Sequence, residues 1–536
     1  MEKRLFLAVA LSLIVVFVFQ TFWGPKPKDF AFAPFSQEQS SLDDAPSINT
    51  QAKAFSQPII SDSDQLQGSE DAISHSGLKL TFSTLGAKVS NAELTKFAYS
   101  FPLYDILAVD SFNTKFFTVS SKNQNSIEYK IDWDDWVVYK TFKIVDNFNV
   151  IGSLKIRNTA GSKRQFPYKV AAAIFDSSRL DKNINGTDRT LLEYLILESK
   201  KSYRKNNLSN FSEKWDFSKQ DVDVSFLGLR DRYFAMILQP QTSLRNFNIT
   251  ALNSDRLALG FSLNDFDFLP DQTKTYDFNI YLGPQKLDLL NKAGKDFQKI
   301  LVFSDWAWLD AISKLIYWLL GATYSLIPVW GLCIILVSLV VYGAMFPLTM
   351  KSLLSMRKMQ AIQPKIKQVQ EKFKNNPEKV NQEILALYKQ HGVNPLGGCL
   401  PMILQMPIFV GLYQVLWRSF YFRGESFLRM KDLSQPDHLF KLPFEIPFLG
   451  SYFNLLPIVM VFIMMFQQKM SNQNMDVSPE QAAQQKMMAT VFPVMIGFIF
   501  YNFSSGLNVY FVVFYLLSAI TQWHISRSSM ASLLAK

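Results

Sequence analysis

The sequence predicts a multi-pass α-helical membrane protein of six spans, with a large all-β sandwich domain on the outer side and a cytoplasmic helical hairpin. Three observations predict it. Charge is unevenly spread: residues 1–300 carry 36 Lys+Arg and 34 Asp+Glu, whereas residues 301–536 carry only 19 and 11. The second part instead holds five apolar runs without Asp, Glu, Lys, Arg or His, at 326–348, 400–417, 448–466, 487–503 and 507–523. A helix rises about 1.5 Å per residue, so runs of this length cross a hydrocarbon core of about 30 Å. Between the N-terminal run and these five, short segments of period-two alternation recur, which is the signature of half-buried strands.

In chain order, Lys3 and Arg4 precede Leu5 to Trp23, which carry no charge. This is the layout of a signal sequence. The run ends Gln20-Thr21-Phe22-Trp23-Gly24-Pro25, without the small residues a signal peptidase needs. Residues 1–23 therefore read as an uncleaved anchor, with a cleaved signal peptide as the alternative. Residues 24–76 are rich in Ser, Gln, Asp and Pro and read as a flexible tether.

Residues 77–304 form the predicted β-sandwich. Its alternating segments are Leu78–Phe82, Trp136–Val145, Asn149–Ile156, Tyr168–Phe175, Tyr233–Leu238, Arg256–Leu263 and Thr275–Leu282. Leu287–Lys299 reads as a helix. Ser304 and Asp305 are positioned to cap another over 305–325. Its stripe of Trp306, Leu309, Ile312, Ile316, Leu319 and Leu320 suits a helix lying in the outer membrane interface, or a core helix of the β-domain. Residues 326–536 form a five-span core.

Orientation follows from the loops. The segment 349–400 carries nine Lys+Arg against three Asp+Glu, whereas 419–450 carries four of each. The positive-inside rule puts the first in the cytoplasm. Both termini are then cytoplasmic and 24–325 lies outside. Within the hairpin at 350–399, Met359, Ile362, Ile366, Val369 and Phe373 step along one helical face. Asn376 and Pro377 read as N-cap and first residue of a second helix, whose apolar face continues through Val380, Ile384 and Leu387 to a stop at Gly392. Pro364 should kink the first arm or shift its start. Lys351, Arg357, Lys358, Lys365 and Lys367 make the exterior basic. That surface either docks a ribosome, a nascent chain or anionic lipid headgroups, or only sets topology.

Composition excludes much soluble chemistry. Cys333 and Cys399 are the only cysteines, and the four His, at 75, 391, 438 and 524, have no metal-ligand spacing. No phosphate-binding glycine loop, HExxH or GxSxG occurs. The β-domain lacks the positioned His that sugar mutarotation needs, since His75 is the only one before residue 391. No cofactor, metal or sequence-specific nucleic acid is expected, and the protein is not expected to be an enzyme.

An ordered series of motifs then carries a resemblance: Phe346-Pro347-Leu348-Thr349, Met356-Arg357-Lys358-Met359, Gln363-Pro364-Lys365-Ile366, Ala386-Leu387-Tyr388-Lys389, Val393-Asn394-Pro395-Leu396-Gly397-Gly398-Cys399-Leu400-Pro401 and Gln405-Met406-Pro407-Ile408-Phe409. Gln468-Lys469-Met470 and Ser505-Gly506-Leu507 follow, and Asp231-Arg232-Tyr233-Phe234 and Tyr281-Leu282-Gly283-Pro284 fit the outer domain. The chain resembles the YidC family of bacterial membrane-protein insertases, in the form with a large periplasmic domain. The resemblance implies a chaperone for nascent membrane proteins in the inner membrane, acting alone or beside the Sec translocon. It also implies a hydrophilic groove, open to the cytoplasm and lipid, among the last five spans.

The family commonly places an Arg where this chain has Tyr342. A neutral polar groove is therefore expected here, with Lys351 at its cytoplasmic mouth about 13 Å along the helix. In the alternative, Tyr342 only packs. Ser338 shares its face one turn away. Gln405 matches a family groove position, and the resemblance suggests substrate contact near Tyr510 and Phe511. Gln414 sits half a turn round from Gln405, so both face the groove only if Pro407 bends the span. Ser338, Gln414 and Asn508 have helix–helix packing as their alternative role. Two other classes compete. A secondary transporter would hold ionisable side chains at midplane. A membrane-anchored carbohydrate-binding protein leaves five spans without a purpose.

Overall fold

The computed structural model describes residues 68–109, 112–167, 170–179, 192–198, 202–205, 216–219, 223–242, 246–252, 256–262, 267–374, 376–393, 400–446, 449–471 and 479–527. They fall into two compact units that divide between Ile300 and Leu301. The predicted anchor and the tether up to residue 67 lie outside the described residues.

The first unit is a β-sandwich. Its largest sheet has nine antiparallel strands in the order Ser202–Lys205, Glu193–Glu198, Val224–Arg230, Phe234–Pro240, Thr273–Pro284, Asn149–Asn158, Trp136–Ile144, Ser126–Trp133 and Thr118–Lys122. Opposite it lie a five-stranded sheet (Asp216–Lys219, Asn246–Ala251, Arg256–Ser262, Val170–Asp176, Leu103–Val109) and a four-stranded one (Glu70–His75, Leu78–Ser83, Lys88–Leu94, Tyr99–Ser100). Gly152 marks how closely the faces meet: a Cβ there would stand 3.2 Å from Leu107 Cδ1 of the five-stranded sheet. Phe82, Tyr129 and Phe142 fill the space between, with centroids 5.9 and 5.2 Å from Phe82. Each such fully buried ring contributes about 1.5–3 kcal/mol.

Each predicted strand has a counterpart, within a few residues at its ends. Others carried no signal. Leu103–Val109 is buried at every position, so its sequence does not alternate. Glu70–His75 pairs with Leu78–Ser83, so the sheet begins inside the stretch read as tether to residue 76. The helix expected over Leu287–Lys299 is shorter: α1 spans Leu287–Ala293 and stops where Gly294 turns extended. A separate 3-10 turn follows at Phe297–Ile300.

Lys140 and Asp105 are among the ionisable side chains buried inside the sandwich. Lys140 is buried and donates to the Gly86 carbonyl at 2.8 Å. Asp105, also buried, accepts from the amides of Val89 (3.1 Å) and Ile106 (2.7 Å). Burial pushes the Asp105 carboxyl up from 3.8 to about 6, and Lys140 only partly counteracts it. The folded state thus holds this proton more tightly than the unfolded chain does. Between the two values it binds more protons, so stability falls as pH rises through that window. The expected contribution is about 3 kcal/mol, at about 1.4 kcal/mol per unit. Denaturant titrations of the wild type from pH 4 to 7 should show this loss, and Asp105→Asn should flatten it. A variant as steep as the wild type would reject the assignment.

The second unit is helical. α2 spans Ala307–Leu326, α3 Trp330–Lys372, α4 Pro377–Gln390, α5 Leu400–Arg418, α6 Leu455–Ser471, α7 Pro479–Phe500 and α8 Ser505–Arg527. The buried stripe of α2 is Leu309, Ser313, Ile316 and Leu320, so Trp306 departs from the predicted stripe and is exposed. Asp310 secures the start of α2, accepting from the amides of Phe303 (2.7 Å) and Ser304 (3.3 Å), and Ser304 Oγ accepts from the Trp306 amide at 3.3 Å. α2 packs on α5 at Gly411, where an added Cβ would meet Ile312 Cγ2 at 3.1 Å.

The first hairpin arm is not a separate helix. α3 runs 43 residues without a break, through Pro347 and Pro364. Asn376 caps α4 as expected, accepting from the Lys379 amide at 3.1 Å, with Pro377 in the first turn. Ile362, Ile366 and Val393 form a small core with Met359, Ile384, Leu387 and Tyr388. α3 and α8 each contain a stretch long and apolar enough to cross a membrane, at Trp330–Met359 and Ser505–His524. Shorter apolar stretches lie in α6 and α7. Val340, Phe462, Phe466, Val491, Val494, Phe498 and Leu516 point outward, exposed and apolar.

Candidate functional site

The candidate site is built on α8, the helix that packs on both α3 and α6 and also reaches α5. Its sequence from Ser505 to Gln522 has no charge but many hydrogen-bonding side chains. On an apolar helix such groups seek partners on neighbouring helices, and each neighbour supplies one. The Tyr342 hydroxyl of α3 lies 2.7 Å from Thr521 Oγ1. Gln405 Nε2 of α5 donates to the Tyr510 hydroxyl at 3.0 Å. Gln467 Nε2 of α6 donates to Ser518 Oγ at 2.7 Å. Asn508 Nδ2 donates to the Phe500 carbonyl at the end of α7, at 3.3 Å.

Rings join these pairs. Phe514 stands edge-on to Tyr342 at 5.4 Å and stacks on Tyr510 at 6.0 Å. Phe511 packs with Phe409 of α5 and Phe500 of α7, at 5.4 and 4.9 Å. Gln405 Oε1 is buried and has no hydrogen-bond partner among the described residues. Such an atom is costly unless something pairs with it.

The structure thus brings together Tyr342, Gln405, Tyr510 and Phe511. It places three other predicted residues differently. Ser338 is fully buried and donates back to the Ile334 carbonyl of its own helix at 2.7 Å. Gln414 is buried away from Gln405, on a helix that stays continuous through Pro407. Asn508 bonds across to the end of α7 rather than to Gln405 or Tyr342. Gln467, Ser518 and Thr521 join the candidate site through these hydrogen bonds, and the sequence reading missed them. The available signal was the same as for Gln405: a polar side chain inside an uncharged run.

On the hairpin, Lys351, Lys358, Lys365 and Lys367 are exposed and Arg357 is half-buried. Lys365 Nζ lies 2.9 Å from His391 Nε2, and His391 Nδ1 lies 2.9 Å from the Leu387 carbonyl. A neutral His with its proton on Nδ1 satisfies both. No group of His, Cys, Asp and Glu able to hold a metal occurs among the described residues.

Residues 322–532 match the family model described as 60Kd inner membrane protein, and residues 108–319 match the one described as YidC periplasmic domain. The two matches are consecutive and together take up most of the chain. The chain belongs to the YidC family. A relative called membrane protein insertase YidC, from Chloroherpeton thalassium, is 38% identical over 270 residues, 48% of this chain and 44% of the relative. Another of that name, from Geotalea daltonii, is 28% identical over 562 residues, 98% of this chain and 99% of the relative. The chain spans about half the length of the curated relatives that it matches at 32–38% identity. A crystal structure described as an active YidC insertase is similar at 18% identity and a TM-score of 0.39, over 85% of this chain and 95% of that one.

As in other YidC-family inner membrane proteins, a β-rich periplasmic domain accompanies a helical membrane region. The division between the two family matches falls close to the division between the compact units.

Proposed function

We propose that this YidC-family protein is a membrane-protein insertase. It helps nascent transmembrane segments enter and fold in the bacterial inner membrane, alone or beside the Sec translocon, without breaking a covalent bond. The observation that carries the reading is the row of uncharged hydrogen-bonding side chains on α8, shared with α3, α5 and α6. Moving a polar flank through bare hydrocarbon costs several kcal/mol per unpaired group. A surface of Gln, Tyr, Ser and Thr side chains offers interim partners and lowers that barrier. Because it carries no net charge, it accepts flanks of either sign.

In this reading the chain spans the membrane six times with both termini in the cytoplasm and residues 24–325 in the periplasm. Tyr342, Gln405 and Phe511 contact the substrate, and the fully buried Tyr510 positions Gln405. Ser338, Gln414 and Asn508 hold the helices around it. Lys351 stands at the cytoplasmic mouth, and Arg357, Lys358, Lys365 and Lys367 meet the ribosome, the emerging chain or anionic lipids.

Depletion is expected to impair insertion of small one- and two-span proteins, whose flanks fit a shallow site. Photocrosslinkers at positions 338, 342, 405 and 511 locate the contact on a stalled nascent chain. Positions 342, 405 and 511 keep some exposed surface and should crosslink to its transmembrane segment, whereas 338, which has none, should not. A crosslinker at 358 should reach ribosomal proteins. Normal insertion after depletion, together with no crosslinks from the first three positions, would sink the reading.

A further inference from the structure

The segment joining α5 to α6, between residues 419 and 454, carries apolar side chains that are exposed among the described residues. Leu428 is 85% exposed at the tip of a two-residue turn, whose flanking Phe427 and Met430 exchange backbone hydrogen bonds at 3.0 Å. Its φ of +53° is the left-handed region, unusual for a branched side chain. Further on, the hairpin of Phe440–Ile446 and Gly450–Phe453 presents Phe440 (51% exposed), Phe444 (62%) and Tyr452 (40%).

The base of this segment is rigid. Asp437 Oδ2 accepts from the amides of Leu455 and Leu456, at 2.8 and 2.9 Å, and so caps α6. Asn454 bonds the backbone and hydroxyl of Tyr501, and the Tyr501 hydroxyl donates to the Tyr452 carbonyl at 3.0 Å. The amides of Ser505 and Gly506, opening α8, donate to the carbonyls of Gln435 and Leu433. The exposed rings are therefore held in place and are not a frayed loop.

We infer that residues 419–446 and 449–454 form a lipid-binding cap, which sinks Leu428, Phe440 and Phe444 into the headgroup–acyl boundary of the outer leaflet. Three observations favour lipid as the occupant. The segment begins and ends on two apolar helices of a membrane protein, so its base stands at the membrane boundary. Tyr421 stacks on Trp330 at 4.8 Å, and Trp330 on Tyr324 at 4.0 Å. That aromatic collar is of the kind enriched at membrane interfaces. Residues 419–450 carry four Lys+Arg and four Asp+Glu, which suits the paired charges of zwitterionic headgroups better than a strongly charged protein partner. The cap gives the periplasmic ends of α5 and α6 a fixed depth.

The proposal rests on the membrane placement of the helices in the proposed function, not on insertase activity. It is tested on the full chain in phosphatidylethanolamine–phosphatidylglycerol vesicles, with Cys333→Ala and Cys399→Ala as background. Single variants Leu428→Cys, Phe444→Cys and Leu516→Cys carry an environment-sensitive fluorophore, and nitroxide-labelled lipids serve as quencher. Labels at 428 and 444 should emit as in an apolar medium and lose about half their emission to shallow nitroxides, as for groups about 5–10 Å into the interface. Water-like, unquenched emission at both, with Leu516→Cys quenched, overturns the cap and leaves the helices in the membrane. Shielded but unquenched labels overturn it in favour of a protein contact. An unquenched label at 516 as well sinks the membrane placement itself.

Discussion

Arg230→Ala is expected to destabilise the periplasmic domain by about 3–5 kcal/mol, the usual cost of stripping one partner from a buried ion pair. Arg230 and Glu193 are both almost fully buried and meet at 2.6 Å. The same guanidinium donates to the Ile300 carbonyl at 2.7 Å and approaches Gln285 Oε1 at 3.4 Å. Gln285 in turn donates to the carbonyls of Asp231 and Phe234 at 3.0 and 3.1 Å. One side chain thus fastens a central strand to the segment that ends the domain. Removing it strands a buried carboxylate and frees that segment together.

Hydrogen exchange of the full chain should read this as faster exchange over Glu193–Glu198 and Val224–Arg230. The domain's melting point should drop by roughly 6–20 °C, at about 2–4 °C per kcal/mol for a domain of this size. Replacing both partners, with Arg230→Met and Glu193→Leu, should recover much of the loss, because an apolar pair needs no counter-charge. A shift of Arg230→Ala within about 1 kcal/mol of wild type would show that water reaches the pair.

Tyr342→Arg is expected to change which substrates are inserted. An Arg there would be the only charge in an otherwise neutral row. At about 6 Å from a substrate carboxylate, and an effective dielectric near 20, the attraction is about 3 kcal/mol before desolvation. A net gain of about 1.4 kcal/mol corresponds to tenfold, so insertion of acidic-tailed substrates should rise about tenfold relative to neutral-tailed ones. Tyr342→Phe separates charge from hydrogen bonding. It removes the hydroxyl paired with Thr521, costs about 1 kcal/mol of helix association, and leaves the tail preference unchanged. An identical preference for Tyr342→Arg and wild type across a tail-charge series would reject contact between position 342 and substrate.

Much of this architecture is legible in the residues because the relevant forces are local. Strands with one buried face, such as Trp136–Ile144 and Asn149–Asn158, show their burial as alternation. The cap at Asn376 is a contact between residues three apart. Leu103–Val109 was illegible for the opposite reason: burial on both faces erases the alternation. The 43-residue α3 was hidden because Pro364 suggests a kink or a new start there. Of the candidate site, Tyr342, Gln405, Tyr510 and Phe511 were found through the family resemblance. Gln467, Ser518 and Thr521 were not, because a polar residue in an apolar run reveals a need for a partner without revealing where the partner is.

The sequence by itself determined the division into an outer β-domain and a helical membrane region, the basic hairpin, the neutrality of the candidate site and the family. These follow from composition, periodicity and ordered motifs, each a property of neighbouring residues. Only the tertiary structure decided which polar side chains pair. Tyr342 and Thr521 lie 179 positions apart, and Gln405 and Tyr510 lie 105 apart. The physical reason is that partner choice between helices depends on their rotation and packing depth, which no single run of residues encodes.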